Sequence, residues 1–175
     1  MQQAAHTPSE YDELYRAHHP RVRRLCRLLL ADPDEADDVS QEVFVKLLRE
    51  HRAACEPVNW QRWLTTVSVN ACRDRRRSGW WKWWRAHPVE FDEAKWATAT
   101  VGPEEAMART QVRGRIWEAF RTLSARQQEV FALRQLEGWS TDEVAATLGL
   151  SSGSVKRHLY RAVHQLRAAL RGCDD

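Results

Sequence analysis

Residues 140–171, STDEVAATLGLSSGSVKRHLYRAVHQLRAALR, read as two helices joined by a tight turn. Ser140 followed by Glu143 is a capping-box start, Gly149 stands where a helix ends, and Ser151 opens the next helix. On a wheel of that second helix Val155, Leu159, Ala162, Val163, Leu166 and Leu170 share one side, and Ser154, Arg157, Arg161 and His164 share the other. The first set is expected to pack on Val144, Leu148 and Leu150. From Ser151 to Arg171 there is no Asp or Glu, whereas Lys156, Arg157, Arg161, Arg167 and Arg171 are cationic. An acid-free helix after such a turn suits a DNA groove, because its cations replace counterions condensed on phosphate. Arg157 can fork onto guanine, Ser154 can reach a base or phosphate, and Lys156 and Arg161 suit phosphate. Ser152 and His158 complete the candidate DNA-contacting set.

Upstream, helical periodicity continues at about 104–122 and 125–137, with Ser124 and Gln127 forming another capping box. Residues 79–103 break the pattern with Gly79, Pro88, Gly102 and Pro103 and are expected to be a linker. Before it lie three further helices. The first carries Tyr11, Leu14, Tyr15, Val22, Leu25, Cys26 and Leu29, is opened by Ser9 with Asp12, and should be kinked or split at Pro20. Asp32-Pro33-Asp34 reads as a turn. The second helix, about Asp34 to Glu50, turns Ala36, Val39, Val43, Phe44 and Leu47 inward and Asp38, Glu42, Val45 and Arg49 outward, with Gln41 at the edge. Asn59 is placed to cap the third, whose expected buried stripe is Trp60, Trp63, Leu64, Val67 and Ala71; Arg62, Thr66, Arg73 and Arg76 lie opposite. The fold class is therefore all-α: two small helical domains, 1–78 and 104–175, joined by a flexible linker.

The net charge of +3 over 175 residues hides an asymmetry. Asp32, Asp34, Glu35, Asp37, Asp38 and Glu42 form an acidic stretch, while 73–85 and 151–171 are rich in bases. Two faces of opposite sign suggest two partners. No apolar run approaches the ~20 residues that span a bilayer, so no stable membrane insertion is expected. Met1 to Tyr11 lacks the apolar segment of a secretory signal. Cys26, Cys55, Cys72 and Cys173 are scattered, which reads as reduced thiols in a cytoplasmic protein without a metal site. No Ser/His/Asp grouping, metal cluster or phosphate loop stands out, so neither catalysis nor a cofactor is expected.

DPDEADDVSQEVFVKLL (32–48), WQRWLTTVSVNACRDRRR (60–77) and LSARQQEVFALRQLEGWSTDEVAATLGLSSGSVKRHLYRAVHQL (123–166) together resemble the extracytoplasmic-function sigma factors of bacterial RNA polymerase. The resemblance implies a region 2 that docks on the polymerase β′ clamp helices and opens the −10 promoter element. It implies a region 4 that binds the β flap and reads the −35 element. By resemblance Asp38, Gln41, Glu42 and Val45 meet core polymerase. Asn70, the loop ending at Asn59, and a cradle of Arg73, Arg75, Arg76 and Arg77 meet the unpaired −10 strand. Trp60 and Trp63 are read as core instead. Val67-Ser68-Val69-Asn70 and Arg157-His158 depart from common family runs, so no promoter sequence is implied. GWWKWWR (79–85) has three readings: packing on its own domain or a regulator, stacking on unpaired DNA, or touching a membrane surface. An anti-sigma factor is the cover that the family suggests. The alternative function is a stand-alone helix-turn-helix regulator binding operators directly, which leaves DDVSQEVF unexplained.

Overall fold

The computed structural model describes residues 10–30, 32–53, 58–77 and 114–171, and among these there is no strand. Ser9, the 79–103 linker, GWWKWWR, Cys55 and Cys173 lie outside the described residues. The chain divides into two compact units, Met1–Pro88 and Val89–Asp175.

The first unit packs α1 (Glu10–Leu30), α2 (Pro33–Ala53) and α3 (Trp60–Arg77) against one another. Its core joins Val22, Leu25, Leu29 and Leu30 to Val39, Val43, Phe44 and Leu47 and to Leu64 and Val69, all essentially solvent-free. α1 is not split at Pro20. The proline is exposed, and so is Arg16, whose carbonyl it leaves without a helical partner. Water can satisfy that carbonyl, so the helix passes through. Asp32-Pro33-Asp34 is the start of α2 rather than a free turn. The buried Asp32 carboxylate accepts from the backbone N–H of Asp34 at 2.8 Å and of Glu35 at 3.2 Å, with Pro33 at the first helical position.

The buried stripe of α3 is rotated from the expected one. It consists of Leu64, Thr65, Ser68, Val69, Ala71 and Cys72, while Trp60, Trp63 and Val67 are half-buried at its edge. Thr65 and Ser68 tolerate burial because each hydroxyl bonds its own helix, to the Gln61 carbonyl at 3.0 Å and the Leu64 carbonyl at 2.6 Å. Trp60 and Trp63 meet edge to face with centroids 5.8 Å apart, and Trp60 also faces His51.

The second unit contains α4 (residues 114–122), α5 (Ala125–Phe131), a π-helical turn (Ala132–Leu136), α6 (Thr141–Leu148) and α7 (Ser152–Arg171). The core gathers Trp117, Phe120, Leu123, Val130, Leu133, Trp139, Val144, Leu148, Val155, Ala162 and Leu166. The α-helix expected to run to 137 stops at Phe131, where the chain widens into the π turn. The widening lets the Trp139 N–H reach back to the Leu133 carbonyl at 3.0 Å, with Gly138 at φ +72° reversing the chain. Trp139 is thereby drawn into the core.

Candidate functional site

On α2 apolar positions recur at helical spacing and point inward. Ala36, Val39, Val43, Phe44 and Leu47 are buried. Asp38, Gln41, Glu42, Val45, Lys46 and Arg49 line one shallow surface groove. Val45 is 50% exposed, although Val39 and Val43 on the same helix are fully buried. The groove is acidic at its N-terminal end and basic at its C-terminal end, with an apolar spot between.

The acidic stretch is less uniform than it reads. Asp37 turns away from the groove towards α1, where Arg23 bonds it at 2.8 and 2.6 Å and Arg27 at 3.0 and 2.8 Å. These bonds, Arg23's first, hold the Asp37 carboxyl well below the usual carboxylate range.

At the end of α3 the expected cationic cradle is only partly present. Asn70 is exposed and accepts from Arg73 at 3.4 Å, and Arg77 is exposed. Arg76 is instead half-buried and donates to the Leu29 carbonyl at the end of α1. Arg75 reaches α2 and bonds Glu35 and Glu42. Both departures have one cause: these guanidiniums lie close enough to neighbouring helices to satisfy groups there. Asn59 does cap α3, its side-chain oxygen accepting from the Arg62 N–H at 3.0 Å.

In the second unit Ser140 and Glu143 form the full capping box, and Gly149 is left-handed at φ 63°, ψ 43°. Ser151 caps α7 through the Ser154 N–H at 3.2 Å and also bonds the Ser154 hydroxyl at 2.9 Å. Ser152 donates to the Asp142 carboxylate at 2.6 Å, bracing α7 against α6. Ser152 and Ser154, expected at the DNA, are thus half-buried parts of the turn's frame. Lys156, Arg157 and Arg161 are exposed as expected. His158 is half-buried, and burial together with Arg126, Arg161 and Arg157 lowers its pKa. Leu170, expected inward, is at the surface. Sequence reasoning missed Tyr160, which is 72% exposed on the cationic side of α7 and lies against His164. Its signal was a bulky aromatic on an otherwise polar helix face.

Three long helices in one unit and a braced helix-turn-helix in the other define a class of two-part, all-α proteins. Comparison with known proteins narrows that class. Residues 14–82 match the family model described as Sigma-70 region 2, and residues 113–166 match Sigma-70, region 4. The chain is 30% identical over 163 residues to the ECF RNA polymerase sigma factor SigL of Mycobacterium tuberculosis, covering 90% of this chain and 86% of the relative. It is 28% identical over 165 residues to the RNA polymerase sigma-E factor of Streptomyces avermitilis, covering 94% and 87%. A solved structure of similar fold is the sigma factor RpoE of Bartonella quintana, crystallised with the anti-sigma factor NepR. It has a TM-score of 0.68 at 21% identity and covers 95% of this chain and 99% of that one. The chain belongs to the extracytoplasmic-function family of RNA polymerase sigma factors. Its function is that of a transcription initiation factor, and nothing in these relatives supports a stand-alone operator-binding regulator. No helix among the described residues is long and apolar enough to cross a membrane.

Proposed function

We propose that this sigma factor docks on core RNA polymerase, at the β′ clamp helices, through Asp38, Gln41, Glu42 and Val45. The single observation that carries this reading is Val45: α2 sends it outward between the acidic and basic ends of the groove while burying Val39 and Val43. An apolar spot ringed by charge suits a protein contact better than a solvated helix face. Residues 1–78 then form the polymerase- and −10-binding domain, 79–103 the linker, and 104–175 the domain that meets the β flap and the −35 element. In the first domain Asn59, Asn70, Arg73 and Arg77 face the unpaired strand; Arg75 and Arg76 drop out of the cradle because they are engaged on α2 and α1. In the second, Arg157 forks onto a base, Lys156 and Arg161 meet phosphate, and Tyr160 extends the same surface. Ser152 and Ser154 set the pitch of α7 rather than touching bases.

The protein performs no covalent chemistry and works in the cytoplasm, where polymerase and promoters are. An anti-sigma factor is its proposed regulator, supported by the Bartonella quintana sigma factor of similar fold, which was crystallised with one.

Run-off transcription with purified core polymerase tests both surfaces. Glu42→Lys is expected to weaken holoenzyme assembly on every template while circular dichroism stays unchanged; normal assembly overturns the α2 surface. Arg157→Ala is expected to lower transcription from templates with an intact −35 element by about 1–3 kcal/mol of binding. Equal loss on templates without that element overturns the α7 assignment.

A further inference from the structure

Arg75 stands in the last turn of α3, yet its guanidinium works on α2. Nη1 donates to Glu35 Oε2 at 2.5 Å and Nη2 to Glu42 Oε1 at 2.6 Å. Glu35, Asp38 and Glu42 recur at i, i+3 and i+7, so they form one stripe, and all three act on the charge of Arg75. The two prongs differ in setting. The Glu35 side chain is 23% exposed, whereas that of Glu42 is 54% exposed and lines the groove. Among the described residues the second oxygen of Glu42 accepts no hydrogen bond.

We propose that Arg75 is a positioning residue: anchored on Glu35, it fixes the Glu42 carboxylate so that one oxygen faces the groove, ready for a cation of core RNA polymerase. The proposal rests on the α2 surface being the polymerase surface. Two effects of Arg75 oppose each other. Its planar fork restricts a glutamate that otherwise samples several rotamers, so less order is lost on docking. Its charge also repels an incoming cation. The repulsion crosses solvent and is screened by salt, while the ordering is not. Positioning therefore wins, and removing Arg75 weakens docking.

The affinity of the full-length chain for purified core polymerase decides the matter, measured by fluorescence anisotropy for Arg75→Gln, Glu42→Gln, the double variant and Asp37→Asn. Glu42→Gln weakens binding. Arg75→Gln weakens it about two- to tenfold, the range expected from freeing one flexible side chain. The double variant binds no more weakly than Glu42→Gln alone, because the arginine acts only through that carboxylate. Asp37→Asn lowers the melting temperature without changing affinity, which separates positioning from general loss of stability. Arg75→Lys, a charge without a fork, gives an intermediate loss and stands in should Arg75→Gln fail to fold. Unchanged or tighter binding by Arg75→Gln, or losses that multiply in the double variant, overturn the positioning role while leaving the surface intact. Normal binding by Glu42→Gln overturns the α2 surface itself, and the role of Arg75 with it.

Discussion

In the second unit the helix starts are closed from within three residues: Ser124 by Gln127, Ser140 by Glu143, and Ser151 by Ser154. In the first unit the ties that set helix against helix join residues between 10 and 47 positions apart, from Arg27–Asp37 to Arg76 on the Leu29 carbonyl. The difference teaches where each unit's specificity resides. A helix-turn-helix presents one helix to DNA, so the angle at its turn must be set locally, and caps with a left-handed glycine do that. The first unit holds two chemically different faces on adjacent helices, and charged side chains crossing between helices fix their relative rotation. Such ties should be individually stronger and more dependent on pH than caps.

The largest expected effect breaks the first unit at Asp37. Arg27 is 8% exposed at the side chain, and Asp37→Ala removes two of its bonds. Arg23 is 43% exposed and partly solvated, so its arm contributes less. The loss is expected to be about 2–3 kcal/mol, below the full cost of breaking a buried pair. It is measurable by urea denaturation, with amide exchange in α1–α3 locating it. Because the folded state depresses the Asp37 pKa, its stabilisation is fully present above the unfolded value of about 3.9 and disappears as pH falls below that. The gap between wild type and Asp37→Ala should therefore close on acidification from about pH 4 downward. A gap that stays constant would mean the carboxylate is not what the arginines hold.

The same contrast explains what could be read beforehand. The limits of α6 and α7 were legible because Ser140, Glu143, Gly149 and Ser151 act within one turn of themselves. The inner face of α2 was legible because Ala36, Val39, Val43, Phe44 and Leu47 keep helical spacing, and the one buried polar residue on the helix, Ser40, is small enough to join that face without shifting it. On α3 the stripe was misplaced, since Thr65 and Ser68 hide their hydroxyls against their own backbone and so pass as exposed residues. Trp60 and Trp63 are apolar at stripe spacing, yet they sit half-buried at the edge of that face. Arg75 and Arg76 looked like free cations because their acceptors lie 33 to 47 positions away. The π turn escaped notice because it follows from burying Trp139, which periodicity upstream cannot register. Pro20 does not split α1, because the carbonyl it leaves without a partner belongs to exposed Arg16, where water can reach it.

In the second unit the turn is the place to intervene. At Gly149 an added Cβ meets nothing within 4 Å, so alanine there has only backbone strain to oppose it. Gly149→Ala is expected to cost about 1–2 kcal/mol, the penalty of the left-handed region for an L-residue. Gly149→Asn should recover part of it, since asparagine tolerates that conformation. Chemical denaturation checks both. Equal losses for alanine and asparagine would show that the glycine serves close packing instead of chain reversal.

The smallest effect sharpens the comparison most, because it asks whether a cap is only a cap. The Ser140 hydroxyl accepts from the Glu143 N–H at 3.2 Å, and the Glu143 carboxylate accepts from the Ser140 N–H at 2.6 Å. Ser140→Ala removes the first bond and is expected to cost about 1 kcal/mol, with Ser140→Gly costing only a few tenths. Neither variant removes a titrating group, so neither loss should close below about pH 4 as the loss at Asp37 does. They should also add to that of Asp37→Ala, because the two sites share no partner. A double variant less stable than the sum would mean that the two units support each other, and the division into a locally encoded reader and a cross-tied dock would have to be given up.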